Sequence, residues 1–233
     1  MPLRLYPLLL GLLNLFLFTG CQPVTTEPVA SGYDYFPLET GRYVIYDIQE
    51  QQYVINNGTP VNRTYQLKEV VGKSYTNVMG QTAYRLMRYR RSAENQPWQA
   101  DSMWSAHAIN NEAIRTENGR DFIKILFPVR NLLTWDGNQR NGVDADEYQI
   151  RNVGHTYYVS GKQFNETATV VEQDDSTLTS QDKRVTVYAR EVGLIYKERI
   201  QIQFCTATPA CTGRSQIEYG IRQVYRINTY GKE

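Results

Sequence analysis

The densest set of metal-capable oxygens in the sequence falls between Trp135 and Glu147. Asp136, Asn138, Asp144 and Glu147 carry the hard carboxylate and amide donors that calcium takes, and Glu147 is twelfth from Asp136, as in an EF-hand loop. Two positions depart from that loop. Arg140 stands where a ligand is needed, and the turn glycine, Gly142, comes one place late. The stretch therefore reads as a solvated polar loop, with no metal or other cofactor expected. His107 and His155 are the sequence's two histidines. Neither lies in an H-E-x-x-H pattern, and zinc needs three or four ligands. No G-x-S-x-G elbow occurs, and Ser160-Gly161 reads as a hairpin turn. A catalytic triad assembles in space, so an envelope enzyme acting on glycans or peptides stays as the second function class. Arg85, Arg88, Arg90 and Arg91 with Tyr84 and Tyr89 could stack on and neutralise single strands or acidic glycans. Strand alternation splits them, with Tyr84, Arg88 and Arg90 on one face and Arg85, Tyr89 and Arg91 on the other, and cross-strand partners such as Glu69 or Asp101 would neutralise them.

Compartment is written at the start. Arg4 precedes an apolar run of about fourteen residues, 5–18, the length of a signal-peptide core rather than of a membrane span. The run ends in Leu17-Phe18-Thr19-Gly20-Cys21, which resembles the bacterial lipobox, with Phe18 where Leu is usual. The resemblance implies a signal peptide over 1–20, acylation of Cys21 and anchorage of the chain to a bilayer by its lipid, palmitate included. Gln22, rather than Asp, after the cysteine implies the outer membrane. Residues 21–32 then form the acylated cysteine and a Pro/Thr-rich tether, and 33–233 a single β domain.

Arg4 is the one charged side chain before Cys21, so of 25 basic residues 24 remain against 24 acidic. A chain of zero net charge has no long-range attraction for phosphate backbones or anionic lipid heads, which argues against nucleic acid as a partner and against polybasic membrane docking. Tyrosine is abundant at 18 residues, and Tyr, Val, Ile and Thr favour pleated, half-buried surfaces. Cys205 and Cys211 flank Thr-Ala-Thr-Pro-Ala, a turn-forming loop, and in an oxidising compartment they are expected to form a disulfide. Strand parity puts that bridge on the wet side of a hairpin, with Tyr196, Ile200, Ile202 and Phe204 inward and Lys197, Arg199, Gln201 and Gln203 outward.

No segment keeps a helical period. The expected fold is all-β, an antiparallel meander curving into a half-barrel or sandwich. Residues 41–50, apolar on both faces, read as a central strand. Two halves, about 33–120 and 121–233, look alike. Phe36-Pro37 answers Phe127-Pro128, Tyr65-Gln66-Leu67 answers Tyr148-Gln149-Ile150, and Tyr75 to Gln81 answers Tyr157 to Gln163. Met103-Trp104 with Ile114 answers Val187-Tyr188 with Ile195. Tandem duplication of a meander is the simplest account.

The segments YFPLETGRYVIYD, ILFPV followed by WDGN, and VYAREVGLIYKE resemble a group of uncharacterised outer-membrane lipoproteins common in Bacteroidetes, with "FPL, Gly, aromatic" openings and a late "YA, Val-Gly-Leu, Tyr" strand pair. That resemblance implies localisation to the cell envelope and brings no activity. Asp101-Ser102-Met103 and Asp175-Ser176-Thr177 resemble the Asp-Ser/Thr-aliphatic O-glycosylation sites of the same bacteria. The functional expectation is a non-enzymatic domain binding a hydrophobic ligand or an envelope protein, or serving as an accessory subunit. An apolar pocket would favour the ligand carrier and a flat aromatic patch the subunit.

Overall fold

The computed structural model describes residues 31–55 and 59–233. Cys21, the apolar run before it and residues 56–58 lie outside the described residues. A single 3-10 turn, Tyr33–Tyr35, precedes twelve strands. They are β1 (Arg42–Tyr53), β2 (Val61–Thr76), β3 (Thr82–Arg91), β4 (Gln99–Ile109), β5 (Glu112–Glu117), β6 (Arg120–Leu126), β7 (Thr134–Asp136), β8 (Glu147–Val159), β9 (Lys162–Ser176), β10 (Ser180–Ala189), β11 (Gly193–Phe204) and β12 (Ile217–Lys232).

All twelve belong to one antiparallel sheet, in which each strand pairs with its successor except at β6 and β7, and β12 pairs with β1. The β1 sequence is apolar on both faces, and the strand accordingly sits mid-sheet between β2 and β12. The two outer edges, β6 and β7, curl round to meet. Ile123 N donates to Gly137 O at 3.0 Å, and Trp135 Nε1 donates to Ile123 O at 2.9 Å. The result is a nearly closed barrel, which leaves little unpaired edge for another chain to extend.

Register explains the walls. Tyr46 lies opposite Leu67 on β2 and Ile227 on β12, and all three are buried on the inner face. The next residue along, Asp47, has the opposite parity and heads a polar ladder across the outer face of four strands. Asn228 Nδ2 and Gln66 Nε2 donate to its two carboxylate oxygens at 2.8 and 2.7 Å, and Arg91 Nε donates to Gln66 Oε1 at 2.7 Å. A barrel that spans a bilayer carries an apolar band there. This wall is built for water.

Six strands precede residues 127–133 and six follow. The paired sequence motifs fall on strands six apart: β2 with β8, β4 with β10, β5 with β11, and the β2–β3 turn with the β8–β9 turn. A duplication would place them so.

Three local expectations are corrected. Within 135–147, expected as loop, Thr134–Asp136 is a strand with Trp135 buried against Tyr148, ring centroids 5.8 Å apart. Residues 147–159 run as one strand, β8, bent at positive-φ Asn152 and Gly154 (55° and 78°). Beyond the bend the β8–β9 hairpin forms a flap on the outer wall, where Val159 and Phe164 are buried with Val187, Ala189 and Ile195. The second concerns parity on β11, and the third the disulfide. Tyr196 meets Tyr157 of the flap at 5.7 Å, while Lys197 lines the barrel interior. The flap gives the outer wall its own apolar cover and the interior is charged, so the apolar-in rule inverts here. Cys205 and Cys211 are bridged, with Cα atoms 5.6 Å apart, and Cys211 is buried rather than on a wet face.

Candidate functional site

A cavity of about 330 Å3 opens at the barrel mouth where β1 and β11 begin and β2 and β12 end. Residues 33–38 run across that mouth as a strap. Tyr33 Oη donates to Asn110 O at 2.8 Å, and its ring packs on Phe127 with centroids 4.2 Å apart. Tyr35 is fully buried, and Asp34 pairs with Arg190 at 2.7 Å on the far side. Between these fixings Phe36, Pro37 and Leu38 turn toward the cavity, so the Phe-Pro-Leu motif supplies its roof.

The side walls come from a break in the ladder. β11 pairs with β12 as far as Tyr196 opposite Arg226, whereas β12 continues along β1 to Lys232. The strands diverge above Tyr196, and Tyr46 Oη crosses the gap to donate to Leu194 O at 2.9 Å. Val44, Val71, Leu86, Ala106 and Val192 complete an apolar lining.

The floor is charged. Glu69, Arg115, Tyr46 and Tyr188 border both the cavity and a smaller space of about 30 Å3 beneath it. Arg115 Nη2 lies 2.6 Å from Glu69 Oε2, and Arg115 Nε lies 3.5 Å from Glu117 Oε1. Lys124 Nζ is 3.4 Å from Glu117, and Arg88 reaches Glu69 at 3.5 Å while stacking over Trp104, 3.6 Å from the ring centroid. Lys197 and Glu172 border the lower space without an ion pair among the described residues. Four cations and three carboxylates line this lower space, and Asp101 balances the fourth cation by pairing with Arg88 at 3.7 Å. Trp104 Nε1 and Thr186 Oγ1 are buried without a hydrogen-bond partner among the described residues. Donors held this way favour an acceptor.

Burial pushes the Tyr46 and Tyr188 phenols well above the ordinary range, so both stay protonated donors. Burial would also raise Glu117, but Lys124, Lys197 and Arg115 outweigh it and hold the carboxyl at about 2 against an ordinary 4.5. Because the unfolded chain takes up that proton first, the linked stability is fully present above pH 4.5 and lost as pH falls through 2. The shift corresponds to about 3 kcal/mol. Urea midpoints measured down this range should fall for the wild-type chain, and the slope should flatten in Glu117→Gln. An unchanged slope in the variant would assign the acid limb to other carboxylates.

No family model matches the chain, and neither a curated protein nor a solved structure does.

The residues singled out in the sequence distribute as follows. Asp136 Oδ1 accepts from the backbone N–H groups of Asn138 and Asp146, both at 2.9 Å, and Asn138 Nδ2 donates to Asp144 O at 2.8 Å. The loop uses its oxygens on itself, and among the described residues no cluster of three metal-capable side chains occurs. Glu147 opens β8. His107 is buried, which holds it below the usual histidine range, and His155 is exposed at the start of the flap. Arg88 of the arginine cluster enters the interior network and pairs with Glu69 and Asp101, while Arg90 stacks on Tyr65 at 3.7 Å and Arg91 joins the outer ladder. Ser102 accepts from Arg88 Nη1 and donates to Asp101, inside that network; Ser176 is exposed at the end of β9. Arg115, Glu117, Lys124 and Lys197 carried no sequence motif. The signal they did leave is a charged side chain at inward parity in each of several strands, which an oily core would not tolerate.

Proposed function

We propose that the chain is an envelope lipoprotein whose barrel binds a small amphipathic ligand, without catalysis, in the cavity beneath the strap. The supporting observation is the cavity itself, apolar in its upper walls and closed below by Arg115, Glu69 and two protonated tyrosines. At about 330 Å3 it falls within the size range of small-molecule sites. An apolar body fits the walls. A polar head with acceptor oxygens fits the floor, where the Arg115 guanidinium and the Tyr188 hydroxyl border the cavity. The Cys21 lipid of this reading anchors the carrier to a membrane and leaves the cavity free.

Native mass spectrometry of the chain from Gln22, exported to an oxidising periplasm and purified without detergent, tests the proposal. A co-purifying small mass, released on denaturation, is expected. A bare chain that also takes up nothing from an offered lipid extract would sink it. Ala106→Phe gives the matching prediction. Ala106 is fully buried in the cavity wall, so the ring fills ligand space at a stability cost of about 1–3 kcal/mol. Cargo should be lost while the fold persists in circular dichroism.

A further inference from the structure

The β2–β3 hairpin leaves the barrel at the mouth that holds the cavity. Pairing of β2 with β1 ends at Val70 opposite Tyr43, where Gly41 N still donates to Val71 O at 2.8 Å. Pairing of β3 with β4 ends at Tyr84 opposite Ala106. Residues 73–83 thus have no neighbouring strand on either side. Three residue pairs, Tyr75–Ala83, Thr76–Thr82 and Asn77–Gln81, at ~3.3 Å each carry the turn ~10 Å beyond the last pairing with β4.

At its tip Val78 is 104% and Met79 72% exposed. The turn holding them is a fixed one. Asn77 Oδ1 accepts from Met79 N and Gln81 N at 3.0 and 2.9 Å, and Asn77 Nδ2 donates to Gln81 Oε1 at 3.0 Å. Two apolar side chains are therefore held in water by a built turn. The corresponding hairpin of the second half, β8–β9, buries Val159 and Phe164 against the wall. Among the described residues nothing covers Val78 and Met79.

Charge says what would cover them. Residues 72–87 contain no Asp or Glu, and Lys73 and Arg85 are exposed with no ion pair among the described residues. Arg85 lies over the Tyr75 ring at 4.9 Å, a basic-aromatic pairing suited to a headgroup layer. The carboxylates around this mouth are each bound to a cation: Asp34 and Glu166 to Arg190, Glu39 and Glu191 to Arg42, Glu112 to Arg140, and Glu233 to Lys68. The near-balance of charge over the whole chain, +1, conceals a tip that is purely basic. The outer wall beside the hairpin, across β12, β1, β2 and β3, carries the polar Asp47 ladder, so contact is end-on.

The described chain also begins here, with Val129 N donating to Ser31 O at 3.2 Å and Tyr33 on the β4–β5 turn. Residues 21–30, extended, reach at most ~33 Å, enough for a chain anchored at Cys21 to set a ~10 Å hairpin on the same surface. We propose that the β2–β3 hairpin docks on an anionic lipid surface, Val78 and Met79 entering the acyl boundary and Lys73 and Arg85 meeting the headgroups, with the cavity mouth turned to the bilayer. This docking does not require a filled cavity, so cargo and docking can fail separately.

Every strand, both cores and the disulfide lie within residues 33–232. The unacylated chain from Gln22 therefore carries the whole fold and isolates the hairpin from the lipid anchor. Flotation with vesicles of equal parts phosphatidylcholine and phosphatidylglycerol is expected to carry the protein up, and vesicles of phosphatidylcholine alone to carry markedly less. Val78→Asp with Met79→Asp should abolish flotation. Lys73→Glu with Arg85→Glu should weaken it at least ~10-fold, since each basic side chain near an anionic surface contributes several-fold to partitioning. Leu178→Asp, in an exposed turn at the opposite mouth, should leave it unchanged. Thermal melts of all variants check folding. The proposal is overturned if the wild-type chain stays down, if the tip variants float like wild type, or if sedimentation velocity shows a dimer that the tip variants dissolve.

Discussion

Arg115→Met is expected to lower the unfolding free energy by about 4 kcal/mol, the largest effect of any single polar substitution in the barrel. Arg115 is 12% exposed in its side chain, and the carboxylates it serves, Glu69 and Glu117, are 14% and 16% exposed. Methionine fills a similar volume, so packing changes little. The cost arises because two buried negative charges lose their shared partner, and desolvated charge is far dearer unpaired than paired. Arg88 and Lys124 still reach the two carboxylates, at 3.5 and 3.4 Å, which keeps the loss finite. The companion variant decides the cause. Adding Glu69→Gln alone to Arg115→Met leaves Glu117 with Lys124 and Arg88 with Asp101, so no charge is stranded, and should recover more than half of the lost stability. Urea unfolding at neutral pH reads both. A single-variant loss under about 1 kcal/mol would mean that the network behaves as a solvated surface cluster.

A buried ionic floor of this kind is weak as a stabiliser, since well-packed apolar residues often do as well. Its presence in a barrel that could have been filled with leucine suits the polar-headed ligand proposed above. The same choice of residues obscured the site in the sequence. The class of the fold was legible, because tyrosine-rich and β-branched alternation with regular turns leaves few alternatives to an antiparallel meander. The central place of β1 was legible from its two apolar faces. The alternation of arginine and tyrosine marked β3 as a strand, and Glu69 and Asp101 were identifiable as partners for Arg88.

What was not legible depended on closure. Closing the sheet gives an inner face that holds charge and an outer face that the β8–β9 flap makes apolar, so the inward and outward sets on β11 exchange at the bulge between Val187 and Tyr188. No window of sequence contains that information, because it arises from contacts between Tyr157 and Tyr196, 39 positions apart. The cavity was equally hidden. It exists because β12 leaves β11 and follows β1, a choice of partner and not of local propensity. The Phe-Pro-Leu motif was visible, but its service as a roof required knowing that the chain before β1 crosses the mouth.

That crossing yields the second large effect. Tyr35→Ala should cost about 3–5 kcal/mol, the range for deleting a buried aromatic ring. Tyr35 is completely buried in the seam core with Phe127, Ile150 and Ala168, and its hydroxyl reaches Thr167 O at 3.5 Å. Tyr35→Phe, which gives up that long hydrogen bond alone, should cost under about 1 kcal/mol. The two variants therefore separate ring packing from polar tethering. The loss in Tyr35→Ala should also be local. Asp34 still pairs with Arg190, and Pro37 still packs over Gly193, where an added Cβ would meet the proline ring at 3.4 Å. With the Tyr35 ring gone those surface fixings are too weak to hold the strap, and amide exchange should quicken over residues 32–38 while β1 and β12 stay protected. Any cargo should then leave faster, because the strap forms the roof over it. If exchange rises across the whole barrel instead, Tyr35 is a keystone of the closed sheet and the strap has no separate part in holding a ligand.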